Sequence, residues 1–169
     1  MRWAHLIPLQ AQVLDVACGS GRHMQYLQTQ GFHVLGVDRD ENALTIAQSF
    51  GDVVCADLEN APWPLTGRQF DAVVVSNYLW RPRFTDVLAC LKPHGVLIYE
   101  TFAQGNETVG KPSRAEFLLG HGELLQMCQH MRIVAYEDVF LNSPDRFVQR
   151  IVTIQGDQHS TTRFAGSAD

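Results

Sequence analysis

A short apolar run that breaks at two glycines constrains this chain more than any other feature. Residues 13–17 are apolar except for Asp15, and they lead into the sequence Cys-Gly-Ser-Gly at residues 18–21. Glycine has no Cβ and tolerates positive φ, so the backbone can turn sharply there and lie close to a ligand. A second apolar run, residues 33–38, ends at Asp38. Strand, glycine turn, helix, strand and terminal acid together predict a binding site for an adenosine-containing cofactor.

The residues around the glycines distinguish between classes of cofactor. A dinucleotide-binding fingerprint has a third glycine three residues after Gly21, where this chain has Met24. An acid four residues before Gly19, here Asp15, is also foreign to that fingerprint. Asp38, at the end of the second run, can accept hydrogen bonds from both hydroxyls of a ribose. The pattern therefore argues against an NAD-type oxidoreductase.

The spacing Asp15-x-x-x-Gly19-x-Gly21, followed by Asp38, resembles the first two motifs of the class I S-adenosylmethionine (SAM)-dependent methyltransferases. Further along, Asp57-Leu58 resembles the adenine-binding acid of that family, and residues 70–75 resemble its fourth strand. Residues 91–98 resemble a helix end, a turn and the start of the fifth strand, which is expected at residues 95–102. His94 is a departure, because the usual turn before the fifth strand is Pro-Gly-Gly. The resemblance covers about residues 12–155 and is greatest to small bacterial methyltransferases of the tellurite-resistance type.

The resemblance implies SAM as the cofactor and assigns candidate roles at the ends of the strands. The residues expected to bind SAM are Asp15, Gly19, Gly21, Arg22, Asp38, Asp57, Leu58 and Asn77. Tyr78 and Glu100, near the ends of strands four and five, are the candidate catalytic residues. The cations Arg81, Lys111 and Arg114 are the candidates for binding an anionic substrate. Packing, helix capping and surface solvation are the alternative roles for these side chains, and the spacing of the histidines predicts no metal site.

Strands that alternate with helices predict an α/β fold, Rossmann-like and doubly wound, with a mostly parallel seven-stranded sheet. The turn sequence Asn-Ser-Pro-Asp at residues 142–145 predicts a C-terminal antiparallel hairpin. Helices are expected at residues 21–30, 41–50 and 82–91, and over most of 113–131 with a break at 120–122. We expect a mobile loop at residues 103–112, one domain over residues 1–155, and a disordered tail at 156–169.

Composition narrows the functions that this chain can have. The net charge of −5 argues against broad nucleic-acid binding, which depends on many contacts from lysine and arginine to phosphate. Four widely spaced cysteines, no signal-peptide pattern and no bilayer-length apolar run predict a cytoplasmic protein without a membrane partner. We expect methyl transfer by in-line displacement to a small, anionic or soft nucleophile. The alternatives are an RNA or protein methyltransferase and a noncatalytic SAM- or nucleotide-binding module, and the oligomeric state is left open.

Overall fold

Seven strands form one sheet in the computed structural model, which describes residues 2–156 of the chain. The strands are Gln12–Val16 (β1), His33–Asp38 (β2), Asp52–Cys55 (β3), Phe70–Ser76 (β4), Leu91–Phe102 (β5), Arg132–Leu141 (β6) and Arg146–Ile154 (β7). They lie in the order β3-β2-β1-β4-β5-β7-β6. The first five are parallel, and β7 runs antiparallel to both β5 and β6. The predicted sheet and hairpin are confirmed, while the tail predicted at residues 156–169 lies outside the described residues except for Gly156.

Four short α-helices cover the two faces of the sheet. They are Arg22–Thr29 (α1), Glu41–Ala47 (α2), Phe84–Ala89 (α3) and Glu123–Met127 (α4). The helix α1 begins directly after Gly21, whose φ of 81° is in the left-handed region. Asp40 caps the start of α2, because its carboxylate accepts hydrogen bonds from two backbone N–H groups of the first turn. All four helices are shorter than the sequence predicts.

Successive residues of the central strands enter different core layers. In β1, Val13 belongs to the layer that includes residues of α1 and α2, and Leu14 to the layer that includes residues of α3 and α4. Both side chains are fully buried. This two-sided burial explains the continuous apolar runs of β1 and β4, as expected for parallel strands that are covered on both faces.

The segment 113–131, predicted to be mostly helical, is largely not helical. A 3-10 turn at Ala115–Phe117 is followed by an extended stretch, and only α4 is an α-helix. Leu119 lies in the extended stretch, is fully buried, and exchanges backbone hydrogen bonds with Phe102 and Gln104 beside the end of β5. Tertiary pairing therefore prevails over local helix propensity here, although the break predicted at residues 120–122 is present.

The predicted start of the fifth strand is also wrong. We expected a helix end and a turn before residue 95, but β5 begins at Leu91 and contains a register shift against β4. His94 lies in this irregular stretch with a φ of 64°, and its N–H donates to the carbonyl of Gln155 at 2.9 Å. The predicted turn is therefore an irregular part of the strand that pairs with the chain beyond β7.

The segment 103–112, predicted to be a mobile loop, is tied to β7. It contains a 3-10 turn at Asn106–Thr108, and Asn106 is buried. The Asn106 side chain donates to the carbonyl of Pro112 at 2.9 Å and accepts from the N–H of Phe147 at 3.2 Å. A buried amide that is satisfied in this way holds both ends of the segment in place.

Substitution of Gly51 tests how closely the loop before β3 packs on β2. A Cβ at residue 51 would lie 2.3 Å from the backbone carbonyl oxygen of Val34, which cannot rotate away. We expect Gly51→Ala to lower the free energy of unfolding by about 2 kcal/mol or more, measured by urea denaturation. The matched control is Gly110→Ala, because a Cβ at residue 110 meets nothing within 4 Å. Equal stability of the two variants would contradict this packing.

Candidate active site

The carboxyl edge of the sheet brings most of the predicted site residues together. Parallel strands β1, β2, β4 and β5 all end at this edge, where ligands bind in open α/β sheets. Because β7 is antiparallel, its first residues reach the same edge, beside the end of β5. Two cavities open there, one at the ends of β1 to β3 and one over β4, β5 and β7.

The glycine turn is fastened to the end of β2. The N–H of Gly19 donates to Oδ2 of Asp38 at 2.7 Å, and the N–H of Cys18 donates to the carbonyl of Val37 at 3.1 Å. Oδ1 of Asp38 accepts from the N–H of Asp40 at 3.0 Å. Each carboxylate oxygen has a second lone pair. Asp38 therefore shapes the turn and can still accept hydrogen bonds from a ligand.

Asp15 is a buried carboxylate at the base of the glycine turn. It is 1% exposed, and its Oδ2 has no hydrogen-bond partner among the described residues. Burial raises the pKa of Asp15 to about 7; the charge of Arg22 opposes this shift and the charge of Asp38 adds to it. An unpartnered buried carboxylate is energetically unfavourable, so this site favours a ligand that brings a positive hydrogen-bond donor.

The cavity at the ends of β1 to β3 has a volume of about 140 Å³. Its walls are Ala17, Asp38, Arg39, Ala56, Asp57, Leu58, Glu59 and Tyr78. Three of the predicted cofactor residues, Asp38, Asp57 and Leu58, therefore meet here. The carboxylate of Asp57 accepts hydrogen bonds from the side chain and backbone of Asn60 and from the N–H of Glu59, and these bonds lower its pKa. The other predicted cofactor residues lie outside this cavity: Arg22 lines the larger one, and neither cavity is lined by Asp15, Gly19, Gly21 or Asn77.

The predicted catalytic Tyr78 lines this small cavity and not the larger one. Burial raises the pKa of Tyr78, and its hydroxyl has no hydrogen-bond partner among the described residues. The hydroxyl of Tyr99 does have a hydrogen-bond partner, since it donates to the carbonyl of Tyr78 at 2.7 Å. Burial also raises the pKa of Tyr99. Both phenols are therefore neutral at pH 7, and neither is suited to remove a proton from a substrate.

The larger cavity, which we name the arginine cleft, has a volume of about 460 Å³. Residues of β4, β5 and β7 form an apolar floor that includes Val74, Ile98 and Val152. Charged side chains surround it, namely Arg2, Arg22, Glu100, Glu137, Arg146 and Arg150. His23, in the first turn of α1, also lines the cleft. Burial and the nearby Arg22 lower the pKa of His23, so its imidazole is neutral at pH 7.

A network of ion pairs crosses three strands at the arginine cleft. Arg150 lies between two carboxylates, because it is paired in register with Glu100 of β5 and Glu137 of β6. Its Nε donates to Glu100, and its Nη1 lies 3.1 Å from Oε2 of Glu137. Nη1 of Arg2 lies 2.6 Å from Oε1 of Glu137, and Nη2 of Arg146 lies 3.6 Å from Oε1 of Glu100. Glu100 was predicted from the sequence, and it faces the cleft as part of this network.

Sequence reasoning missed Arg2, Glu137, Arg146 and Arg150. The spacing of residues in the last strand contained a signal for Arg146 and Arg150. Arg146 and Arg150 are four residues apart, so they point to the same face of a strand. Two arginines on one face of a strand that the hairpin places inside the sheet need carboxylates or a ligand nearby.

The three predicted substrate cations do not line the arginine cleft. Arg81 instead stabilises the segment before α4. Its guanidinium binds the carboxylate of Glu123 and donates to the carbonyls of Glu116 and Leu118. The exposed Arg114 pairs with the side chain of Glu116, and Lys111 is also exposed. The segment 103–112 is held beside β7 by Asn106, so Lys111 and Arg114 lie away from the lining of this cleft.

Two general properties of the described chain bear on the site. Within residues 2–156, no group of three or more His, Cys, Asp or Glu side chains is placed to hold a metal ion. None of the helices in that range has the length and apolar character needed to cross a membrane.

Comparison with known proteins finds sequences that are described as methyltransferases. Residues 13–95 match a family described as a methyltransferase domain. YqeM from Bacillus subtilis (strain 168), a candidate methyltransferase by name, is 34% identical over 107 residues, which are 56% of this chain and 43% of YqeM. The chain spans less than half the length of the curated relatives that it matches.

Solved structures share the fold at low sequence identity. TehB from Haemophilus influenzae superposes with a TM-score of 0.76 over 92% of this chain and 60% of that chain, at 17% identity. A TehB-like SAM-dependent methyltransferase from Corynebacterium glutamicum gives 0.65 over 90% of this chain and 86% of that chain, at 22% identity. These superpositions confirm the predicted Rossmann-like architecture.

The raised pKa of Asp15 predicts how stability depends on pH. An acid with a raised pKa in the folded state stabilises the fold below the unfolded pKa near 4, and this contribution is lost as pH rises to about 7. Asp15→Asn removes the titration. Without cofactor, the stability of the variant relative to the wild type should therefore rise by on the order of 3 kcal/mol between pH 5 and pH 7–8, then level off. Urea denaturation at pH 5, 6, 7 and 8 measures this difference, and a difference independent of pH would contradict it.

Proposed function

We propose that this chain is a class I SAM-dependent methyltransferase that transfers the methyl group of SAM to a small anionic or soft nucleophile. The acceptor binds in the arginine cleft. The observation that carries the proposal is the buried carboxylate of Asp15 beside the glycine turn, whose Oδ2 has no hydrogen-bond partner among the described residues. A carboxylate in that position fits the ammonium group of the methionine portion of SAM, which is a positive hydrogen-bond donor.

Other residues of the carboxyl edge fit the remaining parts of the cofactor. Asp38 would accept hydrogen bonds from the ribose hydroxyls, and Asp57 with Leu58 would contact the adenine. Arg22, in the first turn of α1, would bind the carboxylate of the methionine portion. SAM supplies, when bound, a methyl group that its positively charged sulfur activates.

The chain has to hold the acceptor in line and exclude water. The apolar floor of the arginine cleft removes water from one side of the acceptor, and its cations attract a negative charge. Tyr78 and Tyr99 hold their protons, and Glu100 is paired with Arg150. An acceptor that arrives deprotonated needs no base, and this supports an anionic or soft nucleophile.

Calorimetric titration with SAM and with NADH tests the cofactor class. We expect saturable binding of SAM with one site and no binding of NADH. A screen of small acceptors that follows the release of S-adenosylhomocysteine then tests the transfer reaction. Binding of NADH in place of SAM, or turnover restricted to RNA or protein acceptors, would contradict the proposal.

Substitution of Asp38 tests the ribose contact. Asp38→Ala removes the acceptor of the ribose hydroxyls and the partner of the Gly19 N–H, so affinity for SAM should fall about tenfold to a hundredfold. Asp38→Asn keeps one side-chain oxygen, so its affinity for SAM should lie between those of Asp38→Ala and the wild type. Asp40→Ala is the matched control, because Asp40 is a neighbouring acid that caps α2. Unchanged affinity in a folded Asp38→Ala protein would show that the ribose binds elsewhere.

A further inference from the structure

The arginine cleft also indicates the class of the methyl acceptor. We propose that the acceptor is a small organic acid with an apolar body, and that Arg146 binds its carboxylate. This inference rests on the proposed methyl-transfer function and adds the chemistry by which the acceptor is recognised.

One edge of the Arg146 guanidinium has no hydrogen-bond partner among the described residues. Its Nε is buried and has no hydrogen-bond partner among the described residues. Its Nη2 lies 3.6 Å from Oε1 of Glu100, which is beyond hydrogen-bond distance. Nε and Nη2 form one edge of the guanidinium, and a carboxylate can accept from both at once. A planar anion bound there would satisfy the buried donor.

The charges around the cleft leave one positive charge in excess. Glu137 is paired with Arg2 and Arg150, and Glu100 accepts from Arg150. Arg22 is assigned to the carboxylate of the cofactor. Three arginines then face two glutamates, and Arg146 is the one with the longest ion-pair distance, 3.6 Å. The cleft therefore matches an acceptor with a single negative charge.

The floor of the cleft indicates what the rest of the acceptor is. Val74, Ile98 and Val152 form the apolar floor, and the aromatic rings of Trp3 and Tyr26 also line the cavity. An inorganic oxyanion gains nothing from apolar walls, whereas a hydrocarbon or aromatic body is stabilised by leaving water there. The volume of about 460 Å³ lies in the range of cavities that bind small organic molecules. The combination favours an organic acid over an oxyanion of a metalloid.

A panel of acids and matched amides tests this assignment by binding alone. The protein is saturated with S-adenosylhomocysteine and titrated with benzoate, phenylacetate and hexanoate, with the three corresponding primary amides, and with selenite. At least one acid should bind at least tenfold more tightly than its amide and than selenite. Arg146→Gln should abolish the preference for the acid. Arg68→Gln is the matched control, because this exposed arginine lies over the ring of Phe70 and does not line the cleft, and it should keep the preference.

The same titrations separate failure of this inference from failure of the proposed function. If the wild type does not bind S-adenosylhomocysteine, the proposed function is wrong. If it binds S-adenosylhomocysteine but no acid is preferred to its amide, or if selenite is preferred, the acceptor class alone is wrong. A preference that persists in Arg146→Gln overturns the role of Arg146. Binding of S-adenosylhomocysteine by each variant shows that it is folded, and Arg146→Lys, which keeps the charge and loses the paired donors, replaces a Gln variant that does not fold.

Discussion

The hydrogen bond from the Gly19 N–H to the Asp38 carboxylate ties the glycine turn to the neighbouring strand. Because β1 and β2 are parallel and paired in register, the turn after β1 and the acid at the end of β2 reach the same edge together. Behind the turn, a Cβ on Gly21 would lie 2.9 Å from Cα of Ala47, so α1 can approach α2 only with glycine at that position. One carboxylate and one missing side chain thus fix the shape of the cofactor side.

The strand β7 contributes to the arginine cleft with one face and to the packing of α4 with the other. One face places Arg146 and Arg150 at the arginine cleft. On the other face, the fully buried Gln149 accepts from the N–H of Leu124 at 3.2 Å and donates to the carbonyl of Gly120 at 2.6 Å, which holds the start of α4. Packing of α4 and alignment of the cleft arginines are therefore coupled through a single strand.

The sequence predicts those parts of the molecule that depend on local pattern. The bounds of β2, β3 and β6 match their apolar runs and turn residues, and Asp15, Asp38 and Asp57 lie at or beside the ends of their strands because each follows a contiguous motif. Long-range contacts decide the rest. Leu119 pairs with the end of β5 instead of continuing a helix, and Glu100, Glu137 and Arg150 come from separate strands that antiparallel pairing brings together. No local pattern encodes that meeting, so Arg146 and Arg150 were not among the predicted site residues, whereas Lys111 and Arg114, which were, do not line the cleft.

In the proposed function, the nucleoside contacts and the arginines of β7 come from different parts of the chain. Residues that fit the nucleoside come from positions 38–58, whereas Glu137, Arg146 and Arg150 come from the hairpin of β6 and β7. Under the proposed function, substitutions confined to that hairpin are expected to change which compound is methylated without altering the nucleoside contacts. A lineage of such proteins would then diversify its substrates through changes in one hairpin while its use of SAM stays the same.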